Sequence, residues 1–276
     1  MGVALHLSFL LALVLYVLSC VFYSKLIYSN AGLIDRKTKK QNLPYNFLLA
    51  AFVIHFSSFA FWTLGNKSLP NPDFSSTLFF ISLALAGSFV FLNKKLLISS
   101  FGAIIAPITF LFLLIASVLF HYPSSEANSF PDYFSLWVHI ILNVFSYVAY
   151  VFAFICSVFL LLKEKILKSK NNISLLSFFP SVKKLDKLSI NSLVLGFIFM
   201  FTGILTGIMY SSSNSLSLSS SKLLSSFILL GAYFFLLTAR KFFNFKGRKF
   251  ALLSLFCFLI TVLSLVLSGF SGSHVS

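Results

Sequence analysis

The sequence predicts an all-α integral membrane protein, a bundle of eight transmembrane helices with both termini on the outer side of the membrane. Three observations carry that prediction: the composition, the lengths of the apolar runs, and the division of basic residues among the connections. Hydrophobic residues make up 58% of the 276 and charged residues 10%, against roughly 45–50% and about 25% in soluble domains. Mean hydropathy is +0.97. With most of the chain inside apolar runs, residues 1–276 read as one polytopic membrane domain, although length alone would suggest two.

A hydrocarbon core of about 30 Å needs roughly 17 to 25 apolar residues in helix. The first such run is Val3–Ile27; it lacks the basic start of a secretory signal and is expected to be kept as a helix. Asn46–Leu64 follows, with His55 at its midpoint and so close to the bilayer midplane. Phe74–Leu92 and Leu96–Phe120 come next, and Pro107 inside the latter removes a backbone donor and should kink it. The fifth run, Phe134–Leu162, has 29 residues; at about 43 Å it exceeds the core, so it must tilt or protrude, and it is expected to be the central helix. A basic connection, Lys163–Ser189, carries an amphipathic SLLSFFP segment expected at the membrane surface. Ile190–Tyr210, Leu223–Ala239 and Phe250–Phe270 complete the set.

Orientation follows from lysine and arginine. With the N-terminus outside, the four inner connections hold 5, 2, 7 and 5 of the 21 basic residues, leaving Lys67 and Lys222 outside beside Asp73, Glu126 and Asp132. The +15 net charge is thus a topology signal. Charges split among four connections do not make the single basic face that nucleic acid requires. Cys20, Cys156 and Cys257 lie in separate runs without paired spacing, which argues for small buried hydrophobes and against a zinc site or disulfide framework.

One run carries an unexpected polar stripe. His139, Asn143, Ser146, Tyr147 and Tyr150 lie within a sweep of about 100° on a helix, and Ser135 extends the stripe outward. Facing lipid, each polar group would stand unpaired at about 1–3 kcal/mol, so the stripe should face protein. Two readings remain open: interhelical hydrogen bonds that set packing, or a site in which His139 is a neutral imidazole ligand for a metal or haem iron near the outer surface. His6, His121 and His274 fall on the same outer side, and His55 does not. Gly196, Gly203 and Gly207 share a face of the sixth run and would let a helix or a flat macrocycle approach closely.

These residues resemble a known family. WVHIILNVFSYVAYVFAFICSVFLLLKEKILKSK, from residue 137, is similar to the central helix of the cytochrome c assembly family (CcsA, CcmC and HemX-type proteins), with its outer histidine, Ser-Tyr pair and basic exit. PSVKKLDKL at 180–188 and GFIFMFTGILTGIMY at 196–210 resemble the segments that follow. GAYFFLLTARKFFNFKGRKFALLSLFCFLITVLSLVLSGF, with its Gly247-Arg248 step, is similar to the closing helix pair. The resemblance is strongest over 130–270; VIHFSSFAF, with His55, matches the family's early transmembrane histidine.

Two departures qualify what the resemblance implies. Haem-handling members carry a tryptophan-rich outer loop where this chain has SSSNSLSLSSS at 211–221, and a second histidine where it has Thr238 and Ala239. The chain therefore looks closest to the HemX-like branch without that loop. The resemblance implies a multi-pass protein of the bacterial cytoplasmic (inner) membrane, with periplasmic termini, acting as an accessory of cytochrome c assembly or haem handling and not as the haem ligase. The implied cofactor is haem, weakly held, five-coordinate, completed by a partner, or absent. Candidate haem-contacting residues are His139, His55, Asn143, Tyr147 and His274, with His139 and His55 at different depths and so not on one iron. The implied partners are the lipid bilayer and other cytochrome c biogenesis proteins. The alternatives are a small-molecule transporter, disfavoured because the span interiors hold no Asp, Glu, Lys or Arg, and a structural membrane subunit without haem.

Overall fold

The computed structural model describes residues 2–29, 42–66, 74–96, 99–119, 134–169, 175–176, 178–213 and 220–270. Among these the only regular structure is helical: α1 (Gly2–Ser29), α2 (Leu43–Asn66), α3 (Phe74–Leu96), α4 (Gly102–Leu119, entered by a 3-10 turn at Ser99–Phe101), α5 (Phe134–Ser169), α6 (Val182–Ser213), α7 (Ser220–Phe242) and α8 (Arg248–Phe270). All eight are long and apolar enough to cross a membrane. This is a multi-pass membrane protein.

Several helices outrun their apolar spans, because a helix satisfies its own backbone and needs no hydrocarbon to continue. α5 proceeds past Leu162 to Ser169, where Lys168 pairs with Glu164 one turn back at 2.6 Å. α6 starts at Val182, eight positions before the apolar run at Ile190; Ser181 caps it, its Oγ accepting from the Lys184 amide at 3.3 Å. Much of the expected surface segment is therefore helix, and Phe178 closes a turn on the Leu175 carbonyl within the remainder. α4 runs on through Pro107.

The helices form two compact units, α1–α4 and α5–α8, and each is described by itself. In the first, α1 packs on α2 and α4, and α3 on α4 and α2, around Tyr16, Leu48, Leu85, Phe89, Phe101 and Ile105. Ser19 Oγ donates to the Pro44 carbonyl at 2.9 Å, tying α1 to the start of α2. In the second, the helices form a ring in chain order, with α5 against α6 and α8 and its most extensive face on α6. Within its unit α5 packs on α6 and α8, and its span is the most buried of the eight, as expected of a central helix. Tyr150, Leu193, Met200, Tyr233, Phe250 and Cys257 fill the centre.

Hydroxyls inside the spans cost little because most turn back on their own helix. Ser58, Thr109, Ser157 and Thr202 each donate to a carbonyl four residues earlier, between 2.8 and 3.0 Å.

Candidate functional site

The polar stripe of α5 meets the glycine face of α6. His139 lies at Gly207, Asn143 at Gly203, Ser146 at Met200 and Tyr150 at Gly196. The partners step up α5 by four, three and four residues while stepping down α6 by the same intervals, the register of two antiparallel helices sharing one seam. The glycines are required by space. A methyl carbon at Gly207 would sit 2.6 Å from the His139 ring, at Gly203 2.9 Å from the Asn143 amide oxygen, and at Gly196 2.5 Å from the Tyr150 ring.

His139 is partly buried, and its Nδ1 lies 2.5 Å from the Gly203 carbonyl oxygen. A carbonyl oxygen only accepts, so Nδ1 carries the proton and Nε2 holds the lone pair. Thr206 Oγ1 donates to the same carbonyl at 2.9 Å. Asn143 Nδ2 donates to the His139 carbonyl at 2.9 Å and lies 3.2 Å from each ring nitrogen, so its amide also covers the imidazole.

Deeper along the stripe the character becomes that of a core. Ser146 is buried with its hydroxyl 3.5 Å from Met200 Sδ. Tyr147 packs against the central cluster of the unit. Tyr150 is fully buried and stacks on Tyr233, ring centroids 3.6 Å apart and planes 4° from parallel, and Tyr233 in turn shares a 2.9 Å hydrogen bond with Thr261 of α8. The pairing of Tyr150 with Tyr233 has no signal in either helix alone.

His55 occupies the first unit. It is fully buried, its ring edge-on to Phe79 at 4.5 Å between centroids, and its Nδ1 lies 3.4 Å from the Tyr16 hydroxyl. Among the described residues its Nε2 has no hydrogen-bond partner. His274 and His121 lie outside the described residues, and His6 is exposed on α1. Of the 211–221 segment, residues 211–213 continue α6 and 220–221 begin α7, and 214–219 lie outside the described residues. Thr238 donates to the Phe235 carbonyl at 2.9 Å, and Ala239 is buried. Among the described residues no three His, Cys, Asp or Glu side chains come together as a metal cluster would require.

One ion pair was not anticipated. Arg240, near the end of α7, donates to Asp186 near the start of α6 at 2.6 Å. A single acid within the lysine-rich segment at 180–188 was the only available hint.

Fold and site define a class: a multi-pass helical membrane protein in which a histidine of one spanning helix is clamped to its neighbour by a backbone carbonyl. The sequence model described as cytochrome C assembly protein matches residues 5–276, nearly the whole chain and well beyond the 130–270 stretch of strongest resemblance, so the protein belongs to that family. No curated protein sequence matches it. Membership ties the chain to cytochrome c biogenesis and to a family concerned with haem.

Proposed function

We propose that the protein is an accessory of cytochrome c assembly in the bacterial cytoplasmic membrane, of the HemX-like kind and not the haem ligase, with both termini on the periplasmic side. The observation that carries its haem-facing part is the hydrogen bond from His139 Nδ1 to the Gly203 carbonyl. Metal-bound histidines characteristically give their second ring N–H to a carboxylate or carbonyl, which sets ring orientation and leaves the other nitrogen as ligand. His139 is held in that tautomer, with the lone pair on Nε2, where the Asn143 amide nitrogen now lies 3.2 Å away. Asn143 covers the ring at 3.2 Å and would have to turn aside for iron to bind. A haem here is therefore weakly held and five-coordinate, or completed by another assembly protein. His55, sealed among aromatic rings with Nε2 unpartnered among the described residues, marks a separate position that would take a ligand only after local rearrangement. Tyr147 contributes through packing, and His274 is the remaining outer candidate.

A second reading is favoured by the register itself. Four stripe residues meet three glycines and a methionine on α6, and such a seam needs no cofactor to account for it. Absorption spectroscopy separates the two readings. Protein purified from haem-replete cells should show a weak Soret band of five-coordinate character that His139→Ala abolishes and His55→Ala leaves largely in place. A colourless parent under every condition leaves the seam as packing alone, and tight six-coordinate haem shows that a second ligand is present after all.

A further inference from the structure

The turn joining α7 to α8 reads Lys241-Phe242-Phe243-Asn244-Phe245-Lys246-Gly247-Arg248-Lys249, four cations among three phenylalanines with no acid. It is an ordered turn. The Phe243 and Phe245 amides both donate to the Ala239 carbonyl, at 3.1 and 3.4 Å, and Asn244 and Gly247 take φ values of 52° and 59°, in the left-handed region that suits these two residue types. Arg240 holds it from beneath: besides its bond to Asp186, it donates from Nη1 to the Phe245 carbonyl at 3.3 Å and lies 4.7 Å from the centroid of the Phe250 ring. Phe245 packs against the core.

What remains points outward. Lys241, Lys246, Arg248 and Lys249 are exposed, and none forms an ion pair among the described residues. Phe242 and Phe243 are 74% and 66% exposed. The apolar α7 span ends at Phe242 and the α8 span starts at Arg248, which in a bilayer would put the turn where hydrocarbon gives way to headgroups. Phenylalanine at that depth inserts toward the acyl boundary while lysine and arginine stems extend to the polar layer.

We propose that this turn is a docking site for anionic phospholipid headgroups. Cations that served only to orient the chain would need neither flanking aromatics nor a turn braced from below. Four exposed cations within nine residues are complementary to an anionic surface, and the two exposed phenylalanines commit the site to lipid, since a soluble acidic partner would have to cover them at the bilayer edge.

The test is native mass spectrometry of the full chain, released from detergent with phosphatidylglycerol or phosphatidylcholine of matched acyl chains. The parent should retain phosphatidylglycerol at least about tenfold more tightly, as several basic side chains at an anionic surface would produce. The variant Lys241→Gln/Lys246→Gln/Arg248→Gln/Lys249→Gln should bring the two lipids close to parity. Arg36→Gln/Lys37→Gln/Lys39→Gln/Lys40→Gln, with the same change in net charge, should keep the preference. Phe242→Ser/Phe243→Ser leaves every charge in place and should reduce retention of both lipids, which tests the site even if the fourfold variant fails to fold. A parent without preference, a control that loses as much as the turn variant, or an acidic protein bound at the turn in place of lipid would overturn the proposal.

Discussion

The imidazole of His139 and the carbonyl of Gly203 are joined at 2.5 Å across the α5–α6 seam, 64 positions apart in sequence. That bond selects the tautomer of the histidine, and it forms because no side chain at Gly203 or Gly207 separates the helices. Much of what can be tested about this protein follows from that close approach.

Replacing Gly196 or Gly203 with alanine should destabilise the protein by about 1–3 kcal/mol, since each methyl must displace an aromatic ring or an amide. Gly231→Ala in α7 is the control. Nothing lies within 4 Å of the added carbon there, and alanine is the better helix former by about 0.5–1 kcal/mol. Thermal unfolding in detergent should give a lower midpoint for the first two and an equal or higher one for the third.

Asn143→Leu removes the amide that covers His139 and donates to its backbone carbonyl. These bonds lie within α5, and even hydrogen bonds between helices in a membrane average only about 0.6 kcal/mol, so stability should fall only slightly. If His139 holds iron, the variant should bind added haem more readily than the parent in a titration followed by absorbance, because the group obstructing Nε2 is gone. Unchanged or weaker uptake would show that Asn143 orients the ring for binding and does not obstruct it.

His55→Leu should raise the unfolding midpoint of the haem-free protein. The buried Nε2 has no partner among the described residues, and an unsatisfied buried polar group costs about 1–3 kcal/mol. A marked fall would indicate that the imidazole makes an interaction in the membrane that its packing against Phe79 and Tyr16 does not account for.

Arg240 and Asp186 should couple in a double-mutant cycle. Their side chains are 14% and 34% exposed, so water weakens the attraction and a coupling of about 1 kcal/mol is expected. Arg240→Ala should cost more than Asp186→Ala, because it also loses the Phe245 carbonyl and the Phe250 ring face. Equal losses would mean that the brace beneath the turn contributes nothing.

For topology, single cysteines at Lys168 and Ser212 are introduced after Cys20, Cys156 and Cys257 are replaced by alanine. An impermeant thiol reagent added to intact cells should label position 212 and reach position 168 only after permeabilisation. The reverse pattern would invert the orientation inferred from the basic residues.

By itself the sequence determined the setting and the spans: eight apolar runs became eight helices because a bilayer leaves a chain that must satisfy its own backbone few other forms. It also showed both halves of the α5–α6 seam, since the polar stripe and the three glycines each follow the 3.6-residue period. Helix ends were less legible, as at Val182 and Ser169, because hydropathy marks where lipid stops and a capped helix can run on into water. Only the tertiary structure decided that His139 meets Gly203, that Tyr150 stacks on Tyr233, that Arg240 reaches Asp186 and that Tyr16 approaches His55. The physical reason is common to all four. A helix's periodicity specifies which residues share a face, but which two faces meet, and in what register, depends on the fit of rings, amides and missing side chains between helices distant in sequence.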